Sequence, residues 1–326
     1  MTGPLLEIDD VVCDFPLPHS PLARIGRRER AVLRAVDHVT LSVAVGSCLA
    51  IVGESGCGKS TLARAVVGLV TPTSGTIRLD EQALAPRRDP ATQRRIQMVF
   101  QDPSSSLNPK LTVGETIDEL IRHHRLRPPH QVKARCRELL EEVELPASVY
   151  DLRPQALSGG QRQRAAIARA LALEPDLLIA DEAVSALDVS VQAAILNLLN
   201  RLRHELGLAM LFISHDLSVV RHVSDDVAVL YLGQVVETRP AAELFGGPAH
   251  PYTKALFSAA PRLDVVRRPG GNTLAGELPS AIDRPIGCPV HSRCPVAIAR
   301  CASDRPALIE VGGGLAACHL LPTPEP

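Results

Sequence analysis

The chain is poor in aromatic residues, and this scarcity excludes one class of binding surface. It has 326 residues, of which 2% are Phe, Trp or Tyr, and it contains no Trp. Proteins that bind single-stranded nucleic acid stack the bases on aromatic side chains, so we expect no such platform and no nucleic-acid partner. The hydrophobic fraction of 45% is nevertheless sufficient for one large domain with an appendage or for two domains.

The chain also lacks a net charge of either sign and a long apolar run. Its 35 basic and 36 acidic residues leave a formal net charge of -1, which predicts no electrostatic surface for DNA or an anionic membrane. The longest charge-free apolar stretch, residues 39–53, is shorter than the roughly 20 residues of a membrane span. The N-terminus does not resemble a signal peptide, so we expect a cytoplasmic protein that associates with a membrane only through partners.

A glycine-rich loop is the strongest functional signal in the chain. Residues 53–60 read GESGCGKS and fit the phosphate-loop pattern of Gly, four residues, Gly, Lys and then Ser or Thr. The apolar run 48–52 predicts a buried strand before the loop, and residues 61–67 predict a helix after it. Backbone N–H groups in such a loop bind phosphate oxygens, together with the N-terminus of the helix.

The same pattern assigns the ligand-binding residues of the loop. Lys59 is expected to contact the β- and γ-phosphates of a nucleotide, and the Ser60 hydroxyl is expected to bind Mg²⁺. The complete set predicted to bind the nucleotide comprises Gly53, Ser55, Gly56, Gly58, Lys59, Ser60 and Thr61.

Polar residues follow three further predicted strands. Gln101, the adjacent carboxylates Asp181 and Glu182, and His215 each come directly after or near the end of a short apolar run. In parallel α/β sheets ligands bind at the carboxyl ends of the strands, so these side chains are candidate site residues. A Ser-Gly-Gly start on the Ala-rich helix that follows residue 158 predicts a second anion site.

These segments together resemble the nucleotide-binding subunit of an ABC transporter over nearly the whole chain. The phosphate loop, Gln101, the LSGGQ sequence at 157–161, the strand before Asp181, the SALD sequence at 185–188 and His215 occur in the order of that family. The resemblance implies an α/β fold, in which a P-loop NTPase sheet carries an antiparallel β-subdomain and a helical insert at about residues 102–170. It implies an ATP-binding domain over residues 1–245 and a small cysteine-containing tail over 246–326.

The resemblance also implies a role for each candidate residue in ATP hydrolysis. Asp181 would hold Mg²⁺ together with Ser60 and Gln101, and Glu182 would polarise the attacking water as general base. Gln101 and His215 would contact the γ-phosphate. The remaining nucleotide-binding residues implied by the family pattern are Ser158 and Gly160, which would face the phosphate loop of an opposing subunit, together with Asp188 and Phe15.

One of these assignments has an alternative, and one segment of the chain departs from the family pattern. Phe15 is the candidate that stacks on adenine, and the alternative is that it belongs to the hydrophobic core. The family usually has Pro-Thr after the catalytic glutamate, whereas this chain has Ala183-Val184. Neither residue is needed to bind Mg²⁺ or water, so the site is expected to be competent with a looser turn.

Within the family, the chain is most similar to the ATPases of oligopeptide/dipeptide importers. The similarity lies in residues 101–109, the HPYT sequence at 250–253 and the cysteines of the tail, and residues 157–164 resemble the second ATPase of the usual pair. It implies a sister ATPase in a heterodimer, two membrane-spanning permease subunits and an extracytoplasmic solute-binding protein, with this chain peripheral on the cytoplasmic face. The alternatives are a soluble ABC ATPase acting on ribosomes or DNA, an exporter, and a nickel-type importer.

The tail contains a set of cysteines that suggests a metal centre. Cys288, Cys294, Cys301 and Cys318 are separated by five, six and sixteen residues, without the Cys-x-x-Cys pairs usual in structural zinc sites. Four thiolates suit either zinc or an iron-sulfur cluster. The resemblance to peptide-importer ATPases implies a 4Fe-4S cluster, and zinc or unligated thiols are the alternatives.

Overall fold

A computed structural model of the chain describes residues 3–17, 31–102, 106–259, 274, 276 and 279–322. The chain divides into two compact units. The first unit comprises Met1–Ser42, Leu49–Pro86 and His215–Pro326, and the second comprises Val43–Cys48 and Arg87–Ser214. The two units are described separately, with elements numbered along the chain.

The first unit contains two sets of strands and five helices among its described residues. Its strands are β1 (Leu6–Pro16), β2 (Val32–Val43), β3 (Cys48–Val52), β4 (Ser74–Leu79), β5 (Gln82–Ala83), β9 (Asp226–Tyr231), β10 (Gln234–Pro240), β11 (Ile309–Val311) and β12 (Gly314–Ala316). Its helices are α1 (Lys59–Val67), α7 (Leu217–Val223), α8 (Ala241–Gly246), α9 (Pro251–Ala259) and α10 (Arg300–Ser303).

One set of strands in this unit forms an antiparallel sheet in the order β2-β1-β4-β5. In the other set β3 is parallel to β9, and β10 then pairs antiparallel with β9 and β12. All five residues of β3 are buried, as the continuous apolar run at 48–52 predicts. The hairpin β11-β12 comes from the tail. Through the pairing of β12 with β10, the tail extends the strand set that contains β3, the strand before the phosphate loop.

Among its described residues, the second unit contains a short parallel sheet and five α-helices. Its elements are α2 (Pro90–Arg95), β6 (Ile96–Val99), α3 (Val113–His123), α4 (Val132–Glu142), α5 (Gly159–Leu171), β7 (Leu177–Asp181), α6 (Val189–Leu206) and β8 (Ala209–Ile213). Strand β7 lies between β6 and β8 and is parallel to both. Every residue of β7 and β8 is buried, in agreement with their apolar sequences.

Local sequence explains where helix α3 of the second unit begins. Thr112 caps α3 by accepting a hydrogen bond from the Glu115 N–H, and the Glu115 carboxylate accepts one from the Thr112 N–H. Both bonds satisfy helix-terminal donors that would otherwise lack partners. Helices α3 and α4 lie within the range 102–170 where the sequence predicts a helical insert.

The predicted α/β class with an antiparallel sheet and a helical segment is confirmed. Within the described ranges, no helix is both long enough and apolar enough to span a membrane.

Candidate functional site

The phosphate loop joins β3 to α1 in the first unit, as predicted. Two of its glycines lie against other backbone segments, so any side chain would overlap a carbonyl oxygen. A Cβ added to Gly53 would lie 2.2 Å from the Leu230 oxygen, and one added to Gly58 would lie 2.1 Å from the Ala35 oxygen. Both residues also have positive φ angles, of 155° and 105°, which disfavour residues with a side chain. Close packing therefore requires glycine at both positions.

Lys59 is the first residue of α1, and its side chain folds back along the loop. It is 5% exposed, and its Nζ donates hydrogen bonds to the carbonyl oxygens of Gly53 (2.8 Å) and Glu54 (2.9 Å). The amine therefore lies within the loop, where its charge would attract a phosphate. Ser55 and Gly56, by contrast, are exposed and form the open face of the loop.

In the second unit, Asp181 is the last residue of β7 and Glu182 follows it. Asp181 is 5% exposed, and Glu182 has a φ of 48°, a left-handed conformation that is uncommon for a residue with a side chain. The Glu182 N–H donates to the Ile213 oxygen (3.0 Å), and the Glu182 carbonyl accepts from the Ser185 N–H (3.1 Å) and hydroxyl (2.9 Å). These bonds hold a strained residue in place, as is typical of functional sites.

The same bonds bear on the turn that departs from the family pattern. Ala183 and Val184 are both buried, and the Ser185 bonds to Glu182 close the turn around them. These bonds and the burial of the two apolar side chains hold the turn without a proline. Its looseness relative to the family stays a prediction.

The Ser-Gly-Gly segment begins α5, as predicted. The Ser158 hydroxyl accepts a hydrogen bond from the Gln161 N–H (3.3 Å), and the Gln161 side chain accepts one from the Ser158 N–H (3.0 Å). A Cβ on Gly160 would lie 2.6 Å from a Val191 methyl group, so glycine allows α5 to approach α6 closely. Ser158 is exposed, and the N-terminus of the helix is therefore open to an anion.

The remaining candidate residues lie on the surface of their units. Gln101 follows β6, Asp188 precedes α6, and both are exposed. His215 is exposed in the first unit, and Phe15 near the end of β1 is 36% exposed, which does not support its alternative role in the core. The first unit thus carries the phosphate loop, Phe15 and His215, and the second carries Gln101, Ser158, Gly160, Asp181, Glu182 and Asp188. Pro103, Ser104 and Ser105 of the 101–109 segment lie outside the described residues.

The cysteines of the tail are close enough to influence one another electrostatically. Burial, opposed by a hydrogen bond from the Val290 backbone and reinforced by the charges of Cys301, Cys318 and Cys294, raises the pKa of Cys288 to about 11. The Cys288 N–H donates to the Cys301 oxygen (2.8 Å). Within the described residues, however, no three His, Cys, Asp or Glu side chains form a group that could hold a metal ion. The arrangement therefore does not fit a 4Fe-4S cluster or a zinc ion as it stands.

The tail is attached to β2 through a buried carboxylate. Asp37 is 3% exposed, accepts a hydrogen bond from the Gln234 amide (2.6 Å), and lies 3.4 Å from Arg284 and 3.1 Å from Arg305. Burial favours the neutral carboxyl, but the two guanidinium groups outweigh it and lower the pKa of Asp37. The composition of the tail did not indicate this contact.

Another tail residue, Arg293, contacts the phosphate loop itself. Arg293 Nη1 lies 3.0 Å and 2.9 Å from the two carboxylate oxygens of Glu54, and 3.4 Å from the Tyr231 hydroxyl. The Tyr252 hydroxyl accepts a hydrogen bond from the Glu54 N–H (3.1 Å), and the two tyrosine rings meet edge to face at 4.7 Å. Sequence reasoning missed these residues, although the HPYT sequence that contains Tyr252 was a signal for them.

Two family descriptions match the chain. Residues 36–185 match the family described as "ABC transporter", and residues 236–301 match the one described as "Oligopeptide/dipeptide transporter, C-terminal region". A probable peptide ABC transporter ATP-binding protein of Sinorhizobium fredii is 47% identical over 98% of this chain and 91% of its own length. A putative peptide import ATP-binding protein of Brucella abortus is 48% identical over 97% of this chain and 94% of its own length.

Solved structures with the same fold also align with the chain. One is cbiO1 from Clostridium perfringens, part of the ABC transporter complex cbiONQ, with a TM-score of 0.64 and 26% identity over 75% of this chain and 91% of that one. Another is a dimeric ATP-binding cassette in a post-hydrolysis state bound to ADP and Pi. Its TM-score is 0.62 with 29% identity, over 72% of this chain and 98% of that one.

Proposed function

Because this chain belongs to the family of ABC transporter ATP-binding proteins, we propose that it is the ATP-hydrolysing subunit of a peptide importer. The observation that carries the proposal is the match of residues 236–301 to the oligopeptide/dipeptide transporter C-terminal region. The near-complete alignment with relatives named as peptide transport and peptide import ATP-binding proteins supports it. Peptides or similar small solutes are the proposed cargo.

The proposed reaction is attack of water on the γ-phosphorus of ATP. The bond from the γ-phosphorus to the bridging oxygen breaks, ADP leaves, and the proton of the attacking water passes to the Glu182 carboxylate. A positioned general base contributes about 10²- to 10⁴-fold to the rate. The backbone of the phosphate loop, Lys59 and His215 would stabilise the charge that develops on the transferred group. Phe15 would stack on the adenine, and Asp188 would complete the nucleotide-binding set.

The reaction requires a divalent cation, and the available donors fit Mg²⁺. Ser60, Gln101 and Asp181 supply hydroxyl, amide and carboxylate oxygens, which are the hard ligands that Mg²⁺ prefers. When bound, the ion neutralises charge on the β- and γ-phosphate oxygens. Asp181 lies at the end of β7 with a buried side chain.

We further propose that hydrolysis takes place in a dimer. Ser158 and Gly160 at the exposed start of α5 would close on the γ-phosphate bound to a second ATPase subunit. The dimeric assembly of the similar cassette supports a dimer, and the resemblance to the second ATPase of a pair favours a sister ATPase as the partner. Two permease subunits would hold the chain at the cytoplasmic face of the membrane, with a solute-binding protein on the other side.

Replacing the general base tests the enzymatic part of this proposal. Glu182→Gln should lower ATP hydrolysis by about 10²-fold or more and allow an ATP-bound dimer to accumulate, because binding is retained while the water is no longer activated. Glu141→Gln is the matched control, since Glu141 is an exposed carboxylate of α4. Phosphate release and size-exclusion chromatography with ATP report both effects. Unchanged hydrolysis in Glu182→Gln would remove that residue from its proposed role.

Co-purification tests the transport part. Affinity purification from detergent-solubilised native membranes, followed by mass spectrometry, should recover two polytopic membrane proteins and a sister ATPase. Recovery of ribosomal or DNA-bound proteins without membrane subunits would contradict the importer assignment.

We propose separately that the tail cysteines bind a 4Fe-4S cluster. The proposal is supported by the resemblance of the tail to that of peptide-importer ATPases and by its four thiols, and it requires the tail to rearrange from the described conformation. Iron and acid-labile sulfide in anaerobically purified protein would support it. Zinc without iron, or metal-free protein, would contradict it.

A further inference from the structure

The contact between Arg293 and Glu54 joins the tail to the loop that binds the nucleotide. Glu54 is the only acidic residue in the loop sequence 53–61, so its carboxylate is the one side chain there that would repel a triphosphate. The Arg293 side chain is 10% exposed, and its Nη1 lies within 3.0 Å of both Glu54 oxygens. The charge of the loop carboxylate is therefore compensated by a residue that lies 239 positions further along the chain.

The backbone at the same position is held by a second residue. The Tyr252 hydroxyl accepts the Glu54 N–H, and Tyr231 packs edge to face against Tyr252. Arg293 lies over the Tyr231 ring, with 5.9 Å from its Cζ to the ring centroid. Glu54 is thus fixed through both its side chain and its backbone, immediately before the exposed face of the loop.

We propose that Arg293 is a positioning residue for the phosphate loop, through which the tail sets the affinity for ATP. This inference rests on the proposed ATP-binding function of the loop. Arg293 neutralises the Glu54 carboxylate and, together with Tyr252, keeps the start of the loop in one conformation. Without Arg293, the carboxylate is left unpaired beside the bound triphosphate, and it repels the ligand.

The tail has a separate attachment, so this role can be distinguished from docking of the tail. Arg284 and Arg305 pair with the buried Asp37, and strand β12 pairs with β10. Removing the Arg293 side chain leaves these contacts intact. A loss of nucleotide affinity in an Arg293 variant with an attached tail is therefore attributable to the loop.

The test is a titration of the full-length chain with a fluorescent ATP analogue in EDTA, which prevents hydrolysis. Arg293→Ala should weaken binding by about 5- to 30-fold, the range for one uncompensated charge close to the ligand. Adding Glu54→Gln to this variant should restore the affinity to within about threefold of the wild type, because the repelling charge is gone. Arg293→Lys should restore part of it, since the positive charge remains. Arg300→Ala is the matched control, because Arg300 is an exposed tail arginine paired with Asp304.

Salt provides a second measurement that a purely structural role would not affect. The affinity gap between Arg293→Ala and the wild type should narrow as ionic strength rises, because salt screens the repulsion by Glu54. If Arg293→Ala does not fold, Arg293→Lys and Glu54→Gln are compared over the same salt range.

Wild-type affinity in Arg293→Ala, or a double variant as weak as the single one, would overturn the inference. Failure of the wild-type chain itself to bind the analogue would instead overturn the proposed function.

Discussion

Lowering the pH should destabilise the protein through one buried histidine, His250. This residue is 2% exposed and precedes α9, and its Nδ1 accepts a hydrogen bond from the Tyr252 N–H (3.0 Å). Protonation of Nδ1 would break that bond and place a charge in the interior. Burial, reinforced by the charge of Lys254 and opposed by a hydrogen bond to the Ala317 backbone, lowers the pKa of His250 from 6.5 to about 4.

The sign and size of the effect follow from the two pKa values. Between pH 6.5 and pH 4 the unfolded chain carries a proton on His250 that the native protein lacks, so the free energy of unfolding falls as the pH falls. With these values the loss between pH 7.5 and pH 5.5 is about 1 kcal/mol. Because Tyr252 contacts Glu54, the loosened segment is one that supports the phosphate loop.

Urea unfolding at the two pH values, followed by tyrosine fluorescence, measures this loss. Two of the three tyrosines, Tyr231 and Tyr252, contact each other in the first unit, and the chain has no Trp to mask their signal. The wild type should lose about 1 kcal/mol more than His250→Gln, since other titrating groups are common to both and cancel. His130→Gln, at an exposed position, should behave like the wild type. An equal loss in the wild type and His250→Gln would refute the reasoning.

Three further predictions concern the loop and the start of α5. Gly58→Ala should reduce nucleotide binding by at least about tenfold, because its Cβ would meet a carbonyl oxygen at 2.1 Å. At Gly56 an added Cβ would have open space around it, so Gly56→Ala should cost only about 1 kcal/mol of backbone strain. Ser158→Ala should lower stability by about 1 kcal/mol, and Ser158→Asp should keep the cap but lose hydrolysis through repulsion of phosphate. Iodoacetamide should modify Cys57 at least about tenfold more slowly in the native protein than in urea, because Cys57 is 1% exposed in the fold and burial raises its pKa; peptide mass spectrometry compares the two rates.

Features with a local cause were predictable from the sequence. The strand, glycine loop and helix around Lys59 form as expected, because a short apolar run and a helix-forming run flank the glycines. Ser158 begins α5 because a Ser with a Gln three residues later forms a capping box. The order of these segments was also sufficient to indicate the family.

Features that depend on contacts between distant segments were not predictable. The left-handed conformation of Glu182 is fixed by Ile213 and Ser185, and nothing in the Asp-Glu sequence specifies it. The cysteine spacing suggested a metal centre, but ligand geometry depends on how the tail folds, and the described conformation provides none.

The sequence by itself determined the fold class, the family and the identity of the candidate ATP-binding residues, because hydrophobic periodicity and glycine spacing act over a few neighbouring positions. Only the tertiary structure decided which charged side chains form ion pairs. Arg293 and Glu54 are 239 positions apart, and Asp37 meets Arg284 and Arg305 across a similar separation. Ion pairs of this kind form only when folding brings distant segments of the chain into contact. The order of charged residues along the sequence does not specify which of them meet.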